Sequence, residues 1–350
     1  MMSSQAGQSI GKLMSFDHII MAACVGAVTL FLCIPLLRQN SQILRWFAKG
    51  IRSRDSHQTP TPSIGGLLMF PVLSAVLLYT QSSLFSSAFL LVFYFAILGF
   101  LDDALDIAGI KKIFLFFLGV ILFLPLMGLL KGSPYKGFGL YFRLFLAIVI
   151  LFTLINASNT IDGVDLLCCL YFIVNFLALS LLFYKSRAAS ELQLCAIMVI
   201  LMVPFAFYNA PKASIFLGDC GSLFLGSLMT LLLIRLFPAD PLGKLHVFLL
   251  FGGVAVLDNA VVSISRMLNG LKPWMSDQFH LHHILSKEFG YWSALRTLLI
   301  TQVSIVLLTS VFILKKPENL MTLFMLAFLI YLGIQVKHFE YMKQRLAESN

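Results

Sequence analysis

The chain has 350 residues, of which 59% are hydrophobic and only 12% are charged, about half the charged fraction of a soluble globular domain. This composition excludes an ordinary soluble protein and indicates an integral membrane protein. The net charge of +9 is spread over short loops without a basic stripe, so we expect a membrane with anionic lipids, and not nucleic acid, as the partner.

Continuous apolar runs close to the twenty residues that cross a bilayer recur along the whole chain. The pattern predicts an all-α, polytopic membrane protein of about 11 transmembrane helices, with ten as the alternative count. The predicted spans are 17–37, 64–80, 84–101, 113–130, 139–155, 166–184, 191–209, 220–237, 245–264, 294–314 and 320–336. We divide the chain into a short N-terminal tail (1–16), one polytopic domain (17–336) and a C-terminal cytoplasmic tail (337–350).

The loops that follow odd-numbered spans carry 14 Lys and Arg residues, whereas the opposite loops and the N-terminus carry 8. The positive-inside rule therefore places the odd-numbered exits in the cytoplasm. Five unusual polar clusters all follow odd-numbered spans, which predicts a single site at the cytoplasmic face. They are 54–66, 102–106, 156–165, 218–222 and 277–283.

The first cluster precedes the second span. Its Arg54 and His57 are suited to binding a phosphate, and Gly65-Gly66 permits close packing where the chain enters the bilayer. A simple connection between loop and span is the alternative.

The second cluster is the run Asp102-Asp103-Ala104-Leu105-Asp106. Asp102 and Asp106 are one helical turn apart, so we expect them on one helical face, with Asp103 beside them. A single Asp at the end of a span is unremarkable, but three carboxylates within five residues repel one another. They favour binding of a metal cation or of a phosphate that carries one.

The third cluster places Asn156, Asn159 and Asp162 three residues apart, followed by Asp165. This spacing stacks two amides and a carboxylate along one side of a helix. A polar turn with an Asn cap is the alternative. Because so many polar groups are costly beside long apolar runs, we expect them to line a wet, ligand-binding cavity.

The fourth cluster has Asp219 between glycines at the start of an apolar run. Backbone N–H groups at a helix start suit a phosphate, and the carboxylate suits a metal ion. An ordinary turn with a cap is the alternative.

The fifth cluster contains His280, His282 and His283. No Cys or carboxylate cluster in the sequence completes a recognised zinc spacing, so we expect imidazoles that bind a diphosphate, with a solvent-facing run as the alternative.

The order and spacing of these five motifs over 54–283 resemble the polyprenyl-phosphate N-acetylhexosamine-1-phosphate transferases, of the glycosyltransferase family 4 type. Asp106, where the phospho-MurNAc-pentapeptide translocases have Lys, and the His-x-His-His pattern are closest to the undecaprenyl-phosphate GlcNAc-1-phosphate transferase branch. Two residues depart from the family pattern: Leu166 stands where the family usually has Gly, and Gln278 where it usually has Arg.

The resemblance implies transfer of N-acetylhexosamine 1-phosphate from a UDP-sugar to undecaprenyl or another polyprenyl phosphate, with release of UMP. This would be the first membrane step of a cell-envelope polysaccharide pathway, such as that of lipopolysaccharide O-antigen. The implied setting is the inner membrane, with the active site facing the cytoplasm, and a homodimer is left open. An ion-coupled transporter and a catalytically inactive family member are the competing hypotheses.

The resemblance also assigns roles to residues. Catalysis and binding of Mg2+, with Mn2+ as the alternative, fall to Asp102, Asp103 and Asp219. Substrate binding falls to Asn156, Asn159, Asp162, Asp165, His280, His282, His283, Arg54 and His57.

Overall fold

The computed structural model describes residues 2–38, 61–79, 89–126, 129, 134–162, 164–210, 213–272 and 280–315. Within these ranges the chain forms α-helices, one short 3-10 helix and a single isolated β-bridge, without a strand. The prediction of an all-α protein is confirmed.

Eleven α-helices lie within the described ranges. They are α1 (Met2–Arg38), α2 (Gly65–Tyr79), α3 (Phe89–Leu105), α4 (Gly109–Phe123), α5 (Gly137–Thr160), α6 (Leu167–Ser186), α7 (Ala189–Tyr208), α8 (Gly218–Leu236), α9 (Leu245–Leu268), α10 (Leu281–Phe289) and α11 (Tyr291–Lys315). The first ten predicted spans coincide with α1 to α9 and α11. The eleventh, 320–336, and the C-terminal tail lie outside the described residues.

Seven of the described helices are long and apolar enough to cross a membrane: α1, α5, α6, α7, α8, α9 and α11. α2 is a shorter apolar helix. The chain is therefore a multi-pass membrane protein, and the count of 11 stays a prediction. α10 is a short helix within the loop between the ninth and tenth predicted spans.

The core of the bundle is α8, which is buried along nearly its whole length. It contacts α2, α3, α5 and α6. A helix that is apolar on all sides can be surrounded by lipid or by other helices, and here other helices surround it while its first turn carries Asp219. The central helix therefore holds a candidate site residue in a fixed place.

Glycines bring backbones unusually close at the start of α8. A Cβ atom at Gly66 would overlap the backbone of Gly221, and one at Gly99 would overlap the backbone of Asp219. The segment before α2 also pairs with the segment before α8, since Gly65 N donates to Phe216 O at 2.9 Å. The close packing predicted from Gly65-Gly66 is present.

The helix α9 is broken inside the bundle at Gly253, which has φ 41° and ψ −120°. Gln302 of α11 repairs the break: its Oε1 accepts from Val254 N at 2.9 Å, and its Nε2 donates to Phe251 O at 3.1 Å. Tyr171 of α6 donates its hydroxyl to Gly252 O at 3.2 Å. Because backbone groups in a membrane protein's interior need partners, these side chains are what allow the break to exist.

Candidate active site

We define the carboxylate cluster as Asp102 and Asp103 of α3, Asp219 of α8 and Lys112 of α4. The amino group of Lys112 donates to Asp102 and, at 2.9 Å, to Asp219 Oδ1. The carboxylates of Asp102 and Asp103 are almost fully buried, at 4% and 6% exposure. The three carboxylates predicted to be catalytic therefore meet in space, and a lysine that the sequence did not single out joins two of them.

Asp103 caps the first turn of α8. Its carboxylate accepts hydrogen bonds from Asp219 N at 3.1 Å and from Cys220 N at 2.9 Å. These are two of the backbone groups that a helix start leaves without partners inside the helix, and a negative charge is favourable there. The sequence predicted a phosphate at these amides. In the structure Asp103 occupies them, so a substrate phosphate needs other donors.

Asp106 does not share the helical face of Asp102, and that prediction is wrong. The helix α3 ends at Leu105, and Asp106 has a φ of 52°, in the left-handed region. Its side chain is exposed. The residue after a helix often takes this conformation, which turns the chain away from the helix axis.

Asp162 adds a fourth carboxyl group. It follows α5 in the loop 161–166, and its pKa is raised well above the ordinary value, first by burial and then by the negative charges of Asp219 and Asp103. Asp102, Asp103 and Asp219 against one lysine already leave an excess of negative charge. A divalent cation with oxygen ligands would offset that excess, so the donor set fits Mg2+.

Asn159 is tied to the same site by α8. Ser222, one turn after Asp219, donates its hydroxyl to Asn159 Oδ1 at 2.8 Å. Asn156 lies one turn earlier in α5 and is half-buried like Asn159. The predicted stack of amides therefore reaches the carboxylate cluster through Ser222.

Asp165 makes hydrogen bonds to two other segments of the protein. Its Oδ2 accepts from Ala213 N at 3.1 Å, and its backbone oxygen accepts from the Tyr291 hydroxyl at 2.7 Å. These contacts join the loop 161–166 to the segment before α8 and to α11. Asp165 thus holds the loop in place, and its predicted contact with substrate remains a prediction.

Leu166 has a φ of 65°, in the left-handed region. A residue with a Cβ atom takes this conformation at a cost of about 1–2 kcal/mol, whereas glycine takes it readily. The Leu166 N–H donates to Asn209 Oδ1 at 2.7 Å, which holds the conformation. The usual glycine at this position therefore has a backbone reason. This chain has Leu at that position and keeps the turn because Asn209 accepts the hydrogen bond from Leu166 N–H.

We define the histidine cluster as Asp258 of α9 with His280 and His282. Asp258 Oδ2 lies 3.3 Å from His280 Nδ1 and 3.0 Å from His282 Nδ1, while Asp258 Oδ1 accepts from Leu281 N at 2.6 Å. Asp258 and His282 are each 2% exposed. The ring of His283 lies 4.4 Å from that of His282.

Asp258 was not predicted from the sequence, although a lone carboxylate within the apolar run 245–264 is a signal of function. No carboxylate cluster was expected to complete a zinc spacing with the histidines. The fold brings Asp258 to them, and the three ligand atoms lie within 4.8 Å of one another. A metal ion is thus one alternative at this cluster.

The two clusters lie at the same end of the bundle. α5 and α9 run side by side in the same direction, since Arg143 donates to Leu242 O and Leu154 lies against Gly252. Six residues farther along, α9 reaches Asp258 and α5 reaches its last residue, Thr160. The sequence-based prediction of a shared site for the third, fourth and fifth polar clusters agrees with this arrangement. Arg54, His57 and Gln278 lie outside the described residues, so their predicted roles remain predictions.

Comparison with known proteins shows what this chain is similar to. Residues 85–237 match the model of glycosyl transferase family 4. A Bacillus subtilis protein named "Probable undecaprenyl-phosphate N-acetylglucosaminyl 1-phosphate transferase" is 28% identical over 327 residues, which are 89% of each chain.

Two similar relatives are named "Undecaprenyl-phosphate alpha-N-acetylglucosaminyl 1-phosphate transferase". The Yersinia pestis protein is 27% identical over 79% of this chain and 81% of its own. The Escherichia coli K12 protein is 27% identical over 79% of this chain and 80% of its own. The resemblance predicted from the five motifs is confirmed: part of the chain matches glycosyl transferase family 4, and these relatives carry the name of the branch that the motifs indicated.

Proposed function

We propose that this protein transfers N-acetylhexosamine 1-phosphate, most simply N-acetylglucosamine 1-phosphate, from a UDP-sugar to undecaprenyl phosphate or a related polyprenyl phosphate. The observation that carries the proposal is the meeting of Asp102, Lys112 and Asp219 at one end of an apolar helix bundle. A lipid phosphate and a soluble nucleotide can both reach such a place. The names of the relatives support the acceptor and the sugar.

The metal expected at this site is Mg2+, with Mn2+ as the alternative. Asp219 would hold it, with Asp102 and Asp103 as neighbouring carboxylates, and its charge would stabilise the phosphate oxygens of the donor. The excess of carboxylates over cations in the cluster supports this assignment.

The chain's own residues would carry the remaining chemistry. An oxygen of the lipid phosphate forms a bond to the β-phosphorus of the UDP-sugar, the bond from that phosphorus to the bridging oxygen breaks, and UMP leaves. Asp102 and Asp103 would position or deprotonate the lipid phosphate. Lys112 can donate hydrogen bonds to phosphate oxygens, and direct displacement needs no covalent enzyme intermediate.

The groups around this centre would bind the donor. Asn159 contacts Ser222 of α8, Asn156 lies one turn earlier in α5, and Asp162 follows α5, which suits the nucleotide or the metal's surroundings. His280, His282 and His283 would bind the diphosphate. The excess of Lys and Arg in the loops that follow odd-numbered spans supports a site at the cytoplasmic face of the inner membrane.

The test is release of UMP by the purified protein in detergent, with undecaprenyl phosphate, Mg2+ and a panel of UDP-sugars. Release should require lipid phosphate and metal, should stop with EDTA, and should name the donor sugar. Asp219→Asn should abolish it. Asp240→Asn, a carboxylate near the opposite end of α8, should not. A folded protein that releases no UMP from any donor would contradict the proposal.

A further inference from the structure

Asp258 is a buried carboxylate whose partners within the described chain come from one short segment. They are the two imidazoles of His280 and His282 and the N–H of Leu281. A buried carboxylate is costly unless hydrogen-bond donors surround it. Asp258 therefore fastens the histidine segment to α9, and the segment in turn makes the buried charge tolerable.

The contacts also show which nitrogen of each imidazole ring is hydrogen-bonded to Asp258. Both imidazoles turn Nδ1 toward the same carboxylate oxygen, and an ionised carboxylate can only accept hydrogen bonds. The hydrogen therefore sits on Nδ1 in both rings. Nε2 points away from Asp258, where it accepts a hydrogen bond in the neutral ring and donates one in the cation.

The location of Asp258 is itself set by the broken helix. The break at Gly253 lies five residues before Asp258, and Gln302 holds both sides of it. The part of α9 that carries Asp258 thus has its own direction, fixed by α11. That direction brings the carboxylate of Asp258 to the first turn of α10, which contains His282.

We propose that Asp258 is a positioning residue that fixes the orientation and the Nδ1–H tautomer of His280 and His282, so that both rings offer Nε2 to the diphosphate of the donor. The assignment of the diphosphate rests on the proposed function. The proposed orientation of the two rings is independent of that function. The alternative occupant of the cluster is a metal ion held by the same three side chains.

The first experiment reads the tautomers directly. Nitrogen-15 spectra of histidine-labelled protein in detergent, assigned with His280→Gln and His282→Gln, should show Nδ1 protonated in both rings. Asp258→Asn should change that signature, and Asp240→Asn should leave it unchanged. Protonation of Nε2 with a bare Nδ1 in the unsubstituted protein would overturn the proposal. So would a stoichiometric zinc content that the histidine variants lose. This measurement needs no activity, so it remains valid if the proposed function fails.

The second experiment tests whether Asp258 acts through the histidines. We expect Asp258→Asn to lower kcat/KM for the UDP-sugar about 10- to 100-fold, as loss of a group that orients a ligand does, with KM for lipid phosphate unchanged. In a chain that already has His280→Gln and His282→Gln, Asp258→Asn should cause little further loss. Asp258→Glu should restore part of the activity. Independent, multiplicative losses in an active and folded protein would show that Asp258 does not act through the two rings.

Discussion

The carboxylate cluster and the histidine cluster lie at the same end of the bundle but differ in charge balance. In the carboxylate cluster, Lys112 contacts two carboxylates, Asp102 and Asp219, and Asp103 and Asp162 lie nearby. In the histidine cluster, a single carboxylate already has three donors. Like charges held together by packing are an arrangement that awaits a cation, whereas a satisfied carboxylate orients its partners. We therefore expect the carboxylate cluster to bind a metal ion and the histidine cluster to keep its hydrogen bonds without one.

The largest expected effect is on catalysis. Asp219→Asn keeps the shape of the side chain but removes one of the two negative charges that Lys112 contacts. We expect kcat for UMP release to fall at least about 100-fold, since removal of one electrostatic group from an active site has effects of this size. Asp240→Asn serves as the matched control. Activity of Asp219→Asn within a few-fold of the unsubstituted protein would remove Asp219 from the metal site.

The next effect separates the lysine from the metal. Lys112→Met leaves Asp102 and Asp219 without their shared cation, so the metal-free protein should lose about 3 kcal/mol of stability. Mg2+ should then raise the Tm more than in the unsubstituted protein, because no lysine competes for the carboxylates. Exposed Lys111 provides the control, Lys111→Met. An equal Mg2+ shift in all three proteins would mean that the metal does not bind where Lys112 does.

A packing variant should disturb one cluster alone. Gly66→Ala places a Cβ atom against the backbone of Gly221 and pushes α2 away from α8. We expect a loss of about 1–3 kcal/mol, as overpacking usually produces, measured as a lower Tm. The histidine tautomers should not change. Gly139→Ala is the control, since no atom lies within 4 Å of its added Cβ. A Gly66→Ala protein as stable as the control would contradict the close approach.

The smallest effect concerns pH. The pKa of Asp162 is raised in the folded state, so the folded protein binds this proton more readily than the unfolded chain does. Without metal, stability should therefore rise as pH falls through the raised pKa. Asp162→Asn should raise the metal-free Tm at neutral pH and should remove this pH dependence.

Asp165→Asn gives the contrast for that measurement, because its carboxylate already accepts from Ala213 N. It should lower the Tm at neutral pH. If Asp162→Asn lowered it too, the carboxylates would not repel one another as described.

The comparison also shows what the sequence could predict. Repeated charge within a short run made Asp102 and Asp103 visible, and the apolar runs predicted ten of the described helices. Lys112 was not predicted because its role depends on how α4 packs against α3 and α5, which brings its amino group to Asp219 of α8. Asp258 was not predicted because a single carboxylate did not change the prediction that this apolar run is a membrane span. The error at Asp106 came from extending a helical period by one residue past the actual end of the helix. Contacts between distant segments were the common missing information.

The break at Gly253 has a consequence for biosynthesis. Gln302, which completes the hydrogen bonds of Phe251 and Val254, belongs to α11, the last described helix to be synthesised. Until α11 enters the membrane, a broken α9 would leave backbone groups without partners in lipid, at several kcal/mol each. A nascent chain that ends before α11 should therefore keep α9 continuous, with Asp258 facing a different direction. The site would then take its final form only when α11 joins the bundle. A chain that ends before α11 should therefore insert into the membrane but have no activity.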